Sequence, residues 1–185
     1  MTSSGTTISV LLADGHSLFR EAARRALSAQ SGLAVVAEAG DGIAALNAAR
    51  KKRPNVAILD AQLPRSTDLW ASIRRGKVFY SSRIIVLDSR EDDRRLMRAM
   101  YSGAMGYLAK TCPLSELIDA IQSVQRGCTV VPHNMLGGLI SRLLQRDSAH
   151  SHAMLDVVSR LPKRERELLA VLARKSHRQA KGAHW

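Results

Sequence analysis

Five times along the chain a short apolar run gives way to a segment whose apolar residues recur at three- and four-residue spacing. No other feature restricts the fold as much. The runs are Ile8 to Ala13, Leu33 to Ala39, Val56 to Leu59, Arg83 to Leu87 and Met105 to Ala109. After the first, Leu18, Ala22 and Ala26 with Phe19, Ala23 and Leu27 recur at helical spacing. The other helical segments are Ile43 to Arg53, Leu69 to Arg75, Asp92 to Tyr101 and Pro113 to Gln125. Strands that read as continuous apolar runs are buried on both faces, so the pattern predicts a parallel sheet covered by helices on each side. The expected class is α/β, a doubly wound, flavodoxin-like sheet of five parallel strands followed by C-terminal helices.

The composition agrees with a folded domain and narrows its partners. Of 185 residues, 45% are hydrophobic and 24% charged, which excludes a disordered or fibrous chain. The net charge of +12 makes an acidic partner such as nucleic acid a natural expectation. At 4% aromatic residues, a base-stacking surface for single strands is poorly supplied. Cys112 and Cys128 fit neither zinc nor redox spacings, the first residues lack a signal-peptide pattern, and the apolar runs are too short to span a bilayer. The expectation is a cytoplasmic protein without membrane contact.

After Gly127 the pattern changes. Asn134 is placed to cap a helix that carries Met135, Leu139 and Leu143, with Leu136, Ile140 and Leu144, on its apolar side. Residues 147–159 read as a linker, and Arg164 to Lys175 as a basic helix with Leu168, Leu169 and Leu172 on one side. From residue 151 onward the chain holds 8 Lys+Arg against 3 Asp+Glu, its highest density of positive charge. A solvated charged face and weak, salt-sensitive phosphate contact are both open for this helix.

In doubly wound sheets ligands sit outside the carboxyl ends of the strands. The residues standing there are Asp14, Asp60, Asp88 and Lys110. Such a cluster can hold Mg²⁺, which accepts one or two carboxylates together with water and phosphate oxygens. A lysine and a metal neutralising phosphoryl oxygens while one carboxylate attacks would give an acyl phosphate on the protein. Asp60, central in the strand order, is the expected nucleophile.

The segments Val10-Leu-Leu-Ala-Asp-Gly-His-Ser-Leu-Phe-Arg-Glu21, Val56-Ala-Ile-Leu-Asp-Ala-Gln-Leu-Pro64 and Gly103-Ala-Met-Gly-Tyr-Leu-Ala-Lys110 resemble the receiver domain of two-component response regulators. Leu161-Pro-Lys-Arg-Glu-Arg-Glu-Leu-Leu169 resembles the opening of a LuxR-type helix-turn-helix, so the likeness is to NarL/FixJ-class transcriptional regulators. The resemblance implies Asp60 as phosphoacceptor, Asp14 as acidic pocket and metal residue, Lys110 as phosphate-contacting lysine and Tyr107 as switch. It also implies a sensor kinase as partner and no enzyme of its own. The expected parts are a disordered N-terminus at 1–7, a receiver domain at 8–127, a linker with one helix at 128–160 and an incomplete helix-turn-helix at 161–185. Without the recognition helix, specific DNA reading by these residues alone is not expected, and DNA-binding residues are not identified. A homodimer and a dimer with a paralogue remain open.

The departures from the family pattern are informative. Gly15 replaces the second adjacent acid, leaving Asp14 and Asp60 as a weakened Mg²⁺ site. Asp88 replaces the hydroxyl residue after the fourth strand. Like charges roughly 4 Å apart repel by about 4 kcal/mol at an effective dielectric near 20, so Asp88 in the pocket requires a partner. Lys110 is the expected one, with Asp88 taking part of the phosphoryl space and phosphorylation weak or absent. The alternative function is a phosphorylation-independent module that dimerises with or sequesters a partner regulator. Two other patterns compete for the same residues. Gly40-Asp-Gly-Ile-Ala-Ala45 satisfies a dinucleotide fingerprint but follows the second run rather than the first, and Gln62 stands where an aspartyl-phosphate hydrolase would have its second acid.

Overall fold

The computed structural model describes residues 7–75, 78–90, 92–144 and 159–167. Five strands and five helices alternate as expected: β1 (Ile8–Ala13), α1 (Ser17–Ser28), β2 (Leu33–Ala39), α2 (Gly42–Lys52), β3 (Val56–Asp60), α3 (Thr67–Arg74), β4 (Arg83–Asp88), α4 (Asp93–Tyr101), β5 (Gly106–Ala109) and α5 (Leu114–Gln125). A further helix, α6 (His133–Leu144), follows. The strands form one parallel sheet in the order β2-β1-β3-β4-β5. The doubly wound α/β expectation therefore holds, and the strand order reverses between β1 and β3.

Although β3 and most of β1 and β4 are buried throughout, successive side chains still point to opposite faces. Leu11, Ala57, Leu59, Ile84, Val86 and Tyr107 join the core under α2, α3 and α4. Val10, Leu12, Ile58, Ile85, Leu87 and Leu108 join the core under α1 and α5. This sorting decides what each residue at the carboxyl edge can reach.

Local chemistry fixes the helix ends. Asp41 caps α2 through Ala44 N–H, and Asp92 caps α4 through the amides of Arg94 and Arg95. Those hydrogen bonds hold the carboxyls of Asp41 and Asp92 below their ordinary values. Helix α6 starts at His133, so Asn134 lies within the first turn and is not the cap. Val131, Met135 and Leu136 seal α6 to the main core. Thr129 N–H donates to the Arg160 carbonyl at 3.0 Å, and Leu161 is buried, so the segment at 159–167 returns to the receiver-sized body. Residues 1–6, most of the expected linker and the last part of the expected basic helix, from Leu168, lie outside the described residues. No helix among the described residues is long and apolar enough to cross a membrane.

Two glycines should respond oppositely to alanine. A Cβ on Gly42 would strike the backbone of Arg65 and Ser66, whereas one on Gly137 meets nothing within 4 Å. Gly42→Ala should destabilise the protein by about 1–3 kcal/mol, as overpacking does. Gly137→Ala, at an exposed position of α6, should stabilise it by about 0.5–1 kcal/mol. Urea unfolding of the two variants checks both signs.

Candidate functional site

The loops after β1 and β3 flank the switch point of the sheet, and the register that pairs Ala13 with Leu59 sets Asp14 beside Asp60. Both are buried, at 1% and 2% exposure. Lys110, just beyond β5, places Nζ 2.7 Å from Asp14 Oδ2 and 3.0 Å from Asp60 Oδ2. The remaining carboxylate oxygens receive loop amides: Asp14 Oδ1 accepts from His16 N–H at 2.8 Å, and Asp60 Oδ1 from Gln62 N–H at 3.0 Å. The Lys110 ammonium also lies 5.2 Å from the Phe19 ring centroid, a cation–π distance. Arg20 donates to the Asp14 carbonyl and pairs with Glu38, which ties α1 and the β1 loop to β2.

His16 adds a donor that no sequence pattern singles out. Asp14, His16 and Asp60 bring one ligand atom each within 4.8 Å of one another. Two carboxylates fit the oxygen preference of Mg²⁺, and the imidazole stands near the position that Gly15 leaves without an acid. The set fits a divalent cation held by Asp14 and Asp60, with Lys110 as the resident counter-charge.

Asp88 does not bond Lys110; the expected pair is overturned. Its Oδ2 accepts from the Tyr107 hydroxyl at 2.8 Å, and its Oδ1 from Arg95 Nη1 at 3.0 Å and Arg90 N–H at 3.2 Å. The reason is the two-residue alternation. Asp88 is in register with Ala109, so it shares a face with Tyr107, whereas Lys110 falls on the opposite face with Leu108. The side chain of Asp88 is therefore turned into the core beneath α4 and is fully buried. Lys110 meets Asp88 only through the backbone, Lys110 N–H to the Asp88 carbonyl at 2.8 Å. Tyr107 is equally buried, its ring in the main core.

Arg95 connects the two halves of the edge. With its amide oxygen assigned toward α4, Gln62 accepts from Arg95 Nη1 and Nη2 at 2.6 and 3.0 Å. One guanidinium thus bridges the loop after Asp60 to the carboxylate of Asp88. Helical spacing places Arg95 on α4 but gives no indication that it reaches this carboxylate. The partner of Asp88 follows from the β4–β5 register, which the sequence does not print.

The glycine pattern after β2 is structural. Gly42 N–H donates to the Pro64 carbonyl at 2.8 Å, Asp41 caps the helix, and Arg65 pairs with Asp41. Arg65 takes a left-handed φ of 48°, where a glycine would be unstrained. Its ion pair therefore holds a loop that lacks the usual glycines. Cys112 and Cys128 are free thiols, and burial, with Glu116 nearby, pushes Cys112 above its ordinary pKa, away from thiolate chemistry.

The family model described as "Response regulator receiver domain" matches residues 10–122. The chain is similar to "Oxygen regulatory protein NreC" of Staphylococcus carnosus, 28% identical over 166 residues, covering 89% of this chain and 76% of that protein. It is also similar to "Probable transcriptional regulatory protein NarL" of Mycobacterium tuberculosis, 32% identical over 168 residues, covering 90% and 74%. Among solved structures it resembles a LuxR-family two-component response regulator from Aurantimonas sp. SI85-9A1, with a TM-score of 0.67, 26% identity and coverage of 76% and 100%.

Two measurements test the Asp88 network. Asp88→Ala leaves the Tyr107 hydroxyl without its carboxylate and should cost about 1–3 kcal/mol in denaturant unfolding. Burial and the Asp88 carboxylate raise the Tyr107 pKa well above its ordinary 10.0. The unfolded chain then releases the phenol proton first, so this stabilisation is complete below pH 10 and declines as pH climbs further. The stability difference between wild type and Tyr107→Phe should shrink over that alkaline range, read by unfolding at stepped pH.

Proposed function

The chain belongs to the response regulator receiver family, of the NarL/LuxR type, and on that premise we propose that Asp60 accepts a phosphoryl group while Asp88 independently holds the switch residue Tyr107 inward. The observation that carries this reading is the Tyr107–Asp88 hydrogen bond of 2.8 Å, made on the face opposite Lys110. The family is one of DNA-binding transcription regulators and signal receivers, not classical enzymes.

The chemistry follows from the edge. Asp60 Oδ2 attacks the phosphorus of a phosphorylated kinase histidine or a small acyl phosphate; the new O–P bond forms as the bond to the donor breaks, and the donor leaves with its electron pair. Lys110, already beside Asp60, turns its ammonium to the incoming oxygens. Asp14 and Asp60 would hold a divalent cation, with His16 adjacent, and the cation supplies charge neutralisation at the phosphoryl oxygens. Because Asp88 points away from this space, it leaves room for the phosphoryl group. The missing second acid supports slow rather than absent phosphorylation.

In the family pattern a hydroxyl residue after the fourth strand helps couple the phosphoryl group to the switch. Here a fixed carboxylate stands there, bonded at once to Tyr107, Arg95 and the Arg90 amide. The inward position of Tyr107 consequently needs no phosphoryl group, which favours the second reading, output through partner binding without phosphorylation. The domain plan supporting this is a receiver over 8–127, a helical connector and, from residue 161, the start of a LuxR-type output segment. A sensor kinase is the partner this plan implies, DNA being a partner of the family, with action in the cytoplasm.

Acetyl phosphate with Mg²⁺, followed by intact mass, should add one phosphoryl group to wild type and none to Asp60→Asn. An unmodified wild type at saturating acetyl phosphate would remove Asp60 from its role. Fluorine resonances of 3-fluorotyrosine, with position 107 assigned through Tyr107→Phe, should stay put on phosphorylation and move in Asp88→Thr. A position-107 resonance that follows phosphorylation refutes the fixed switch.

A further inference from the structure

Between α3 and α4, beside but separate from the Asp14–Lys110–Asp60 cluster, lies a cavity of about 290 Å³. Ala61, Val86 and Ala99 supply methyl surface, and Trp70 an indole. Arg95 and Arg98 of α4 also line it, with Gln62 and Ser66 as neutral polar residues. None of the lining residues is acidic, and with Arg95 paired to Asp88 the uncompensated positive charge at the cavity is that of Arg98. Arg95 is engaged by Asp88 and Gln62. Arg98 is exposed, and its guanidinium makes no hydrogen bond or ion pair among the described residues.

We propose that this cavity is a binding site for a small aromatic anion, a carboxylate or sulfonate on one or two rings. At about 290 Å³ the cavity stands at the lower limit of small-molecule sites, about 300 Å³, which restricts an occupant to one or two rings. The guanidinium fork of Arg98 matches a planar or tetrahedral anion with two parallel hydrogen bonds. The Trp70 indole and the alanine and valine methyls take the ring. A cationic ligand would meet like charge, an uncharged one would leave Arg98 unused, and an aliphatic anion would forgo stacking on the Trp70 indole. The site uses neither Asp60 nor Lys110, so it stands independently of phosphoryl chemistry.

Occupancy would also reach the switch. An anion seated near Arg98 competes with Asp88 for the guanidinium of Arg95, one turn away on α4. Loosening Arg95 alters the electrostatic surroundings of the carboxylate that holds Tyr107. The ligand thereby acts as an effector; this last step rests on the reading of Asp88 and Tyr107 given above.

The test uses the full chain and 8-anilinonaphthalene-1-sulfonate as probe, followed by its emission and by quenching of Trp70 in a Trp185→Phe background. Saturable one-to-one binding is expected. Arg98→Glu, an exposed position at which the fold is retained, should weaken it by about tenfold or more, the scale of a lost charge-assisted hydrogen bond. Arg50→Glu makes the same charge change on the exposed side of α2 and should leave affinity unchanged. Absence of saturation, or equal weakening by both reversals, overturns the site. The 3-fluorotyrosine resonance at position 107 should shift as the probe saturates; binding without that shift overturns the effector role. A resonance that instead follows acetyl phosphate marks failure of the functional reading, not of the cavity.

Discussion

Three carboxylates and one ammonium group lie at the carboxyl edge of the sheet with almost no access to water, and each charge has an opposite charge within bonding distance. An isolated buried charge costs several kcal/mol, so this pairing is the condition on which the edge can fold at all. The strand alternation divides the charges into two separate sets. Asp14, Asp60 and Lys110 form one on the α1 and α5 side, and Asp88, Arg95 and Tyr107 form the other beneath α4. With helices packed on both faces of the sheet the two sets point to opposite sides, and Arg95 is the side chain that spans them at the edge, from Asp88 to Gln62 in the loop after Asp60.

That separation gives the two sets different chemistry. Asp60 sits with a lysine and a second carboxylate in the place where a phosphoryl group and a divalent cation would be received. Asp88 sits where the charge is consumed internally. A threonine or serine at position 88 would offer a hydroxyl that can turn toward the phosphoryl oxygens or away. A carboxylate bonded to Tyr107, Arg95 and the Arg90 amide has its acceptor oxygens already committed. The replacement thus exchanges a movable donor for a fixed acceptor, and α4, through Arg95, becomes the element that senses its state.

Much of this arrangement is legible in the amino-acid sequence. The βα alternation, the strand spans of Leu33–Ala39 and of Ile8–Ala13, and the placement of Asp14, Asp60 and Lys110 at one edge all follow from period and order. The pairing of Asp88 with Lys110 does not form: alternation along β5 sets Lys110 opposite Tyr107, but the register of β4 against β5, which puts Asp88 on the Tyr107 side, is not written in either strand alone. Asn134 falls one residue inside its helix, because a capping side chain signals a helix start only to within about two residues. Arg95, Gln62 and His16 escape sequence analysis for a different cause: long or loop-borne polar side chains carry no periodic signature that says where their ends arrive.

By itself the sequence determined the fold class, the residues at the carboxyl edge of the strands and the absence of a second acid beside Asp14, since these depend on local hydrophobic period and on residue identity. Only the tertiary structure decided which carboxylate meets the lysine, that Tyr107 is held by Asp88, and that Arg95 and Arg98 share a cavity with Trp70. Such pairings are between segments tens of residues apart, and they are selected by the register of neighbouring strands and by the requirement that every buried charge find its counterpart.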